Sequence, residues 1–198
     1  REVRSVLLVS RRPVAQVASI ALDLNSRTSA ALVKILCADR FGIAPRFLQH
    51  PPRLDEMLAK ADAALIIGDP ALQVERRPGL QVWDLAAEWR AMTGLPFVFA
   101  VWAVRSGVAV EGLAELFRAS LETGLAELDA IAAEAVAELG LERSAVDRYL
   151  RVNLRYELEE QERAGLEEFW RRARERGLAP AGGAVRILGE GPATSAEE

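Results

Sequence analysis

The sequence predicts an α/β fold with a mainly parallel sheet covered by helices. Three observations carry this expectation. Short aliphatic runs alternate with segments of helical period through the first half of the chain, two of those runs (AALIIG and LPFVFAVWAV) are continuously apolar, and after Gly107 helical patterns take over. Alternation of this kind favours crossover units between parallel strands, and continuous apolar runs favour strands covered on both faces.

Val3 to Ser10 is aliphatic and β-branched and stops at Arg11, Arg12 and Pro13, so it reads as a strand and a turn. Val17 to Leu22 is a second short strand. Thr28 to Phe41 places Ala31, Leu32, Ile35 and Leu36 at helical spacing and stops at Gly42. Pro45 to Gln49 reads as a strand, Leu54 to Lys60 as a short helix and Ala63 to Gly68 as a buried strand. GDPAL (68–72) opens a further short helix, with Asp69 suited to capping and Pro70 to the first turn. Val82 to Met92 reads as a helix closed by Gly94 and Pro96, and Leu95 to Val104 as a central strand. Leu113 to Leu139, Ser144 to Leu150 and Glu159 to Arg176 read as helices, with Gly140 and Gly177 as stops. The composition from Pro180 onward is that of a disordered tail.

The chain of 198 residues, 51% hydrophobic and 27% charged, is long enough for a substantial core. Its formal charge is −4, and Lys and Arg are scattered, so no nucleic-acid footprint is expected. Even the longest apolar run, LPFVFAVWAV, ends at Arg105 short of membrane-spanning length. Cys37 and His50 are single, which excludes a disulfide framework within the chain and most zinc sites built from His and Cys. The chain begins without Met inside a strand-like pattern, from which an upstream segment is expected.

Neither a phosphate loop nor a dinucleotide fingerprint occurs, and GxSxG is absent. A serine triad would have to be built on His50, which stands at a strand end before two prolines, where a structural role is expected. The polar cluster Asn25, Ser26, Thr28 and Ser29 precedes or opens a helix. A helix N-terminus presents unpartnered N–H groups and partial positive charge, so Ser26, Thr28 and Ser29 can serve a carboxylate or phosphate. The alternative is one capping hydroxyl and solvated neighbours. Gly68 and Asp69 follow an apolar strand, the position where open α/β sheets hold ligands, and for Asp69 a plain N-cap is the alternative. Ser5 lies in the first strand on the face opposite Val6 and gains interest only if that face lines a pocket. Trp83, Trp89, Phe97, Phe99 and Trp102 are expected to serve packing.

Five phrases together, VRSVLLVS (3–10), SRTSAALVKIL (26–36), DAALIIGDPAL (62–72), TGLPFVFAVW (93–102) and VNLRYEL (152–158), resemble the chorismate dehydratase family of the futalosine route to menaquinone. The resemblance runs in order from Val3 to about Leu178. The dihydroxynaphthoate synthases of the same pathway are a weaker match. The family implies a periplasmic-binding-protein-like (type II) two-lobed fold, with this chain supplying mostly the second lobe and the C-terminal helices. It also implies an α/β lobe over 1–106 and a helical region over 107–178 returning to the first lobe, while the composition leaves a disordered tail over 179–198.

What the resemblance implies for function is a cytoplasmic hydro-lyase that converts chorismate to 3-[(1-carboxyvinyl)oxy]benzoate and water without metal or cofactor, and without a nucleic-acid or membrane partner. Ser5 and Thr28 carry over as catalytic residues, and Ser26, Thr28, Ser29, Gly68 and Asp69 as substrate-binding residues. The family's N-terminal segment, with an Asn in a YLN-type motif, is expected to supply the other side of the cleft. The alternatives are a solute-binding protein for a small carboxylate and a 1,4-dihydroxy-6-naphthoate synthase. A signal peptide or lipobox at the true N-terminus would distinguish the first of these.

Overall fold

The computed structural model describes residues 2–74, 78–105 and 107–181. Five strands form one sheet: β1 (Val6–Ser10), β2 (Ser19–Asp23), β3 (Arg46–His50), β4 (Ala63–Ile67) and β5 (Gln81–Asp84), in the order β3-β2-β4-β1-β5. β2 is parallel to β3 and β4, whereas β1 is antiparallel to both β4 and β5. Four strands thus run one way and β1 alone runs the other. The connections are helical: α1 (Thr28–Asp39), α2 (Leu54–Lys60), α3 (Asp69–Leu72) and α4 (Leu85–Thr93). The sheet is mixed, with the parallel β2, β3 and β4 joined by crossovers as the alternation predicts.

Both faces of the sheet are covered, which is why its strands are apolar at successive positions. Leu8, Ile20, Leu22 and Leu65 pack with Leu32, Ile35, Leu36, Leu85 and Trp89 on one face. Leu7, Val9, Ala21, Ala64 and Ile66 meet Met57, Leu58 and Ala71 on the other. The C-terminal part continues with α5 (Leu113–Ala126), α6 (Leu128–Leu139), α7 (Arg143–Arg148), a π-turn over Tyr149–Asn153 and α8 (Glu160–Glu175). α8 folds back on α1: Phe169 and Ala173 join the first face, and Arg172 and Arg176 both pair with Asp39.

Three expectations are corrected. Val82 to Met92 is not one helix, because β5 occupies its start and Asp84 turns the chain into α4. Leu113 to Leu139 breaks at Glu127, which leaves helical geometry (φ −99°, ψ 13°); nearby, the Thr123 hydroxyl donates back to the Ala119 carbonyl at 2.9 Å, a bond that tends to bend helices. Leu95 to Val104 is not a strand. Its first half, 95–99, packs on α4 and α8, where Phe97 stands edge-to-face with Trp89 of α4 and Phe169 of α8 at centroid distances of 5.4 and 4.9 Å. Its apolar residues therefore reflect packing against helices, and towards its end Trp102 is 81% exposed. Of the expected disordered tail, residues 182–198 lie outside the described residues.

Candidate active site

The register brings the polar candidates to one end of the sheet. β2, β3, β4 and β5 all finish there, since Asp23 pairs with His50 and Asp84 lies opposite Leu7 near the start of β1. β1 begins at the same end, with Val6 opposite Ile67, the last residue of β4. This is the end at which open α/β sheets hold ligands.

The approach to β1 is fixed at every residue. Val3 and Arg4 donate their backbone N–H groups to Asp84 Oδ2 at 2.9 and 2.6 Å, while Asp84 Oδ1 caps α4 by accepting from Ala86 and Ala87. Arg4 adopts φ 68°, a left-handed conformation that costs a non-glycine residue on the order of 1 kcal/mol. The carboxylate of Asp84 is what holds it. Ser5 follows, 6% exposed; its carbonyl accepts from Gly68 N–H at 2.8 Å and its hydroxyl from the Tyr149 hydroxyl at 3.1 Å. Asn153, at the other end of the π-turn, donates its side-chain amide to the Glu2 carbonyl at 3.0 Å.

Beside this strap is a pocket of about 170 Å³. Arg4, Asp69 and Tyr149 supply its polar groups, and Leu72, Leu139, Leu141, Val146 and Leu150 supply most of the apolar wall. Gly68 stands between β4 and α3 with φ 66° and ψ −146°, a backbone conformation open essentially to glycine alone. It is the cap residue of α3, and the Asp69 side chain makes no capping bond there. Asp69 is thus not the N-cap of α3, and it is among the residues that line the pocket. Tyr156 lies after the π-turn and donates its hydroxyl to the Leu150 carbonyl; its phenol is pushed above the usual value by burial and by the neighbouring Tyr149.

The hydroxyl cluster occupies the same end of the sheet but does not line this pocket. Ser26 Oγ accepts from Ser29 N–H at 3.1 Å, so Ser26 is the capping hydroxyl of the conservative alternative. Ser29 is buried and Thr28 half-buried in the first turn of α1. Ser5, Gly68 and Asp69 are thus brought together, and Ser26, Thr28 and Ser29 form a second group after β2. His50 is buried, with Nδ1 2.8 Å from the Pro51 carbonyl, a local structural contact. Cys37 is buried in α1, where desolvation pushes its thiol up to about 12, well away from nucleophilic use. No group of His, Cys, Asp and Glu suited to a metal ion occurs among the described residues, and none of their helices is long and apolar enough to cross a membrane.

Arg4, Asp84 and Tyr149 are the residues that sequence reasoning missed. Asp84 had a local signal, an acidic residue before the helical run LAAEW, which was hidden by extending that helix back to Val82. Tyr149 had none, since its partner lies 144 positions away.

A mixed sheet with a polar strap and pocket at its carboxyl end is a candidate small-molecule site of the α/β class. Comparison with known sequences gives the family: a family model described as menaquinone biosynthesis matches residues 1–175, and the chain belongs to that family. Its relatives include a chorismate dehydratase of Thermus thermophilus, 34% identical over 184 residues, which cover 84% of this chain and 67% of that protein. Another is a chorismate dehydratase of Campylobacter jejuni, 37% identical over 82 residues, covering 41% of this chain and 26% of that one. The chain therefore spans about two thirds of the length of the Thermus relative, and the stretch matched in the Campylobacter relative is about a quarter of that protein.

Proposed function

We propose that this chain carries one side of the active site of a chorismate dehydratase, converting chorismate to 3-[(1-carboxyvinyl)oxy]benzoate and water. The observation that carries the reading, beyond the family, is the end of the sheet where Arg4, Tyr149 and the Ser5 hydroxyl bonded to it converge beside an apolar pocket. A ring with two carboxylates requires such a combination: donors for the anions and an apolar wall for the ring.

In the elimination, the substrate's own enolpyruvyl carboxylate, or a base on the other side of the cleft, takes the proton beside the enol ether, and the C–H electron pair delocalises through the ring into the conjugated carboxylate. The adjacent C–O bond then breaks, the ring becomes aromatic, and the departing hydroxide takes the proton held by that base to leave as water. Negative charge builds on the ring carboxylate in the first step, so donors aimed at that group lower the barrier more than they tighten ground-state binding. Ser5, with its hydroxyl held by a neighbour, and Thr28, in the first turn of α1, take this role in our reading. Ser26, Ser29, Gly68 and Asp69 complete the binding surface.

A type II binding-protein fold is part of the same proposal. Its support is the strand order, in which one antiparallel strand entering from the N-terminal side lies between two parallel neighbours. The proposed division is a sheet lobe over 1–106 and a helical region over 107–178. A cytoplasmic setting belongs to the same proposal. In the purified full-length gene product, Ser5→Ala and Thr28→Ala are expected to lower kcat on chorismate by about 100-fold, the effect of removing one oxyanion donor. Unchanged kinetics in either variant removes that residue from the mechanism.

A further inference from the structure

We propose that the π-turn Tyr149–Asn153 is a positioning element for Ser5, with the Tyr149 hydroxyl orienting the serine hydroxyl so that its proton faces the substrate. The inference rests on the dehydratase reading and adds to it a residue pair far from Ser5 in sequence.

A serine hydroxyl has one proton to donate and two lone pairs. When the Tyr149 O–H donates to Ser5 Oγ, one lone pair is engaged and the serine proton is released for another acceptor. Accepting that bond also polarises the serine O–H and makes it a better donor to a carboxylate. Tyr149 lies on the pocket wall with Arg4 and Asp69, so the hydrogen bond joins the pocket to the buried serine.

The π-turn holds the strap at two points, since Asn153 grips the Glu2 carbonyl while Tyr149 grips Ser5. These two bonds bracket Arg4, whose left-handed backbone is retained only because its surroundings hold it. Asn153 makes its contact at a cost, because its Oδ1 is buried without a hydrogen-bond partner. π-Turns are themselves rare and concentrate at functional sites.

The test is a mutant cycle on the full-length gene product assayed with chorismate, with melting temperatures read alongside. Tyr149→Phe keeps the ring and removes the donor; kcat is expected to fall about 10- to 100-fold with KM little changed. In a Ser5→Ala background the same substitution is expected to cost nothing further, because there is no hydroxyl left to orient. Asn153→Ala removes the orphaned acceptor together with the grip on Glu2, and is expected to lower kcat without lowering the melting temperature. Parent kcat in Tyr149→Phe, or an equal loss in the presence and absence of Ser5, overturns the proposal. Should Tyr149→Phe fail to fold, Asn153→Ala decides, and parent kcat there overturns it. A parent protein with no dehydratase activity overturns the underlying reading and the inference with it, whereas an active parent with unaffected variants overturns the inference alone.

Discussion

β1 and α5 both carry large apolar side chains and end in opposite environments. Every residue of β1 is buried, Leu8 and Val9 completely, whereas α5 buries none of its 14 residues and leaves Leu116 62% exposed. The sheet is a closed core with helices on both faces; the stretch from Val101 through α5 turns Val101, Trp102, Val108 and Leu116 outward, with Trp102 stacked on Phe117 at 4.6 Å. The difference teaches that apolar content alone does not locate the core. A packed neighbour on each face does.

The comparison is sharpest in a pair of truncations. Leu8→Ala is expected to destabilise the protein by about 3–4 kcal/mol in denaturant unfolding, and Leu116→Ala by about 0.5 kcal/mol or less. Equal losses would break the contrast between the two regions. Gly165→Ala tests where the closed core extends. A Cβ there would overlap the Pro96 carbonyl oxygen, backbone that has no flexible side chain to swing away, so a loss of about 3 kcal/mol is expected. A neutral result would mean that α8 does not seat on the 95–99 segment.

Asp84→Ala removes the cap of α4 and both bonds that hold the strap at Val3 and Arg4. A loss of about 2–3 kcal/mol is expected, accompanied by a fall in dehydratase turnover. A stability loss with intact turnover would separate the strap from the site. The smallest effect is acid sensitivity. Glu168 is lowered from 4.5 to about 2 by its hydrogen bond from Arg171, with Arg172 adding to it. For Asp62, burial raises the carboxyl, but bonds from the Ser19 hydroxyl and the Ala18 and Ser19 N–H groups, with Arg12 nearby, outweigh it and hold the group below its usual 3.8. A carboxylate depressed in the folded state stabilises above its unfolded value and loses that contribution as pH falls through the folded one. Stability is therefore expected to decline from about pH 4.5 towards pH 2, and Glu168→Gln to flatten that decline in acid unfolding curves.

Legibility follows the same division. β1, β4, α1 and α2 could be read because their periodicity, caps and stops agree with their burial, and α8 because its charge pattern matches its exposed face. β5 was missed because four residues leading straight into a capped helix carry no period of their own. Leu95 to Val104 was misread because aromatic packing against helices and burial in a sheet leave the same continuous apolar signature. At the site, Gly68 and Asp69 could be named since they follow a legible strand, and Ser5 only through the family resemblance; it lies just before β1 rather than within the strand. Arg4 and Tyr149 could not, because their roles arise from contacts across 80 to 144 positions of sequence, whereas the capping signal of Asp84 was hidden by extending α4 back over β5.

Purified full-length gene product incubated with chorismate, followed by mass and by aromatic absorbance, is predicted to yield a product lighter by one water with the absorbance of a substituted benzoate. Chorismate that binds and is recovered unchanged would contradict the account and favour a carboxylate-binding protein, and turnover of cyclic dehypoxanthine futalosine instead would assign the chain to the dihydroxynaphthoate synthases.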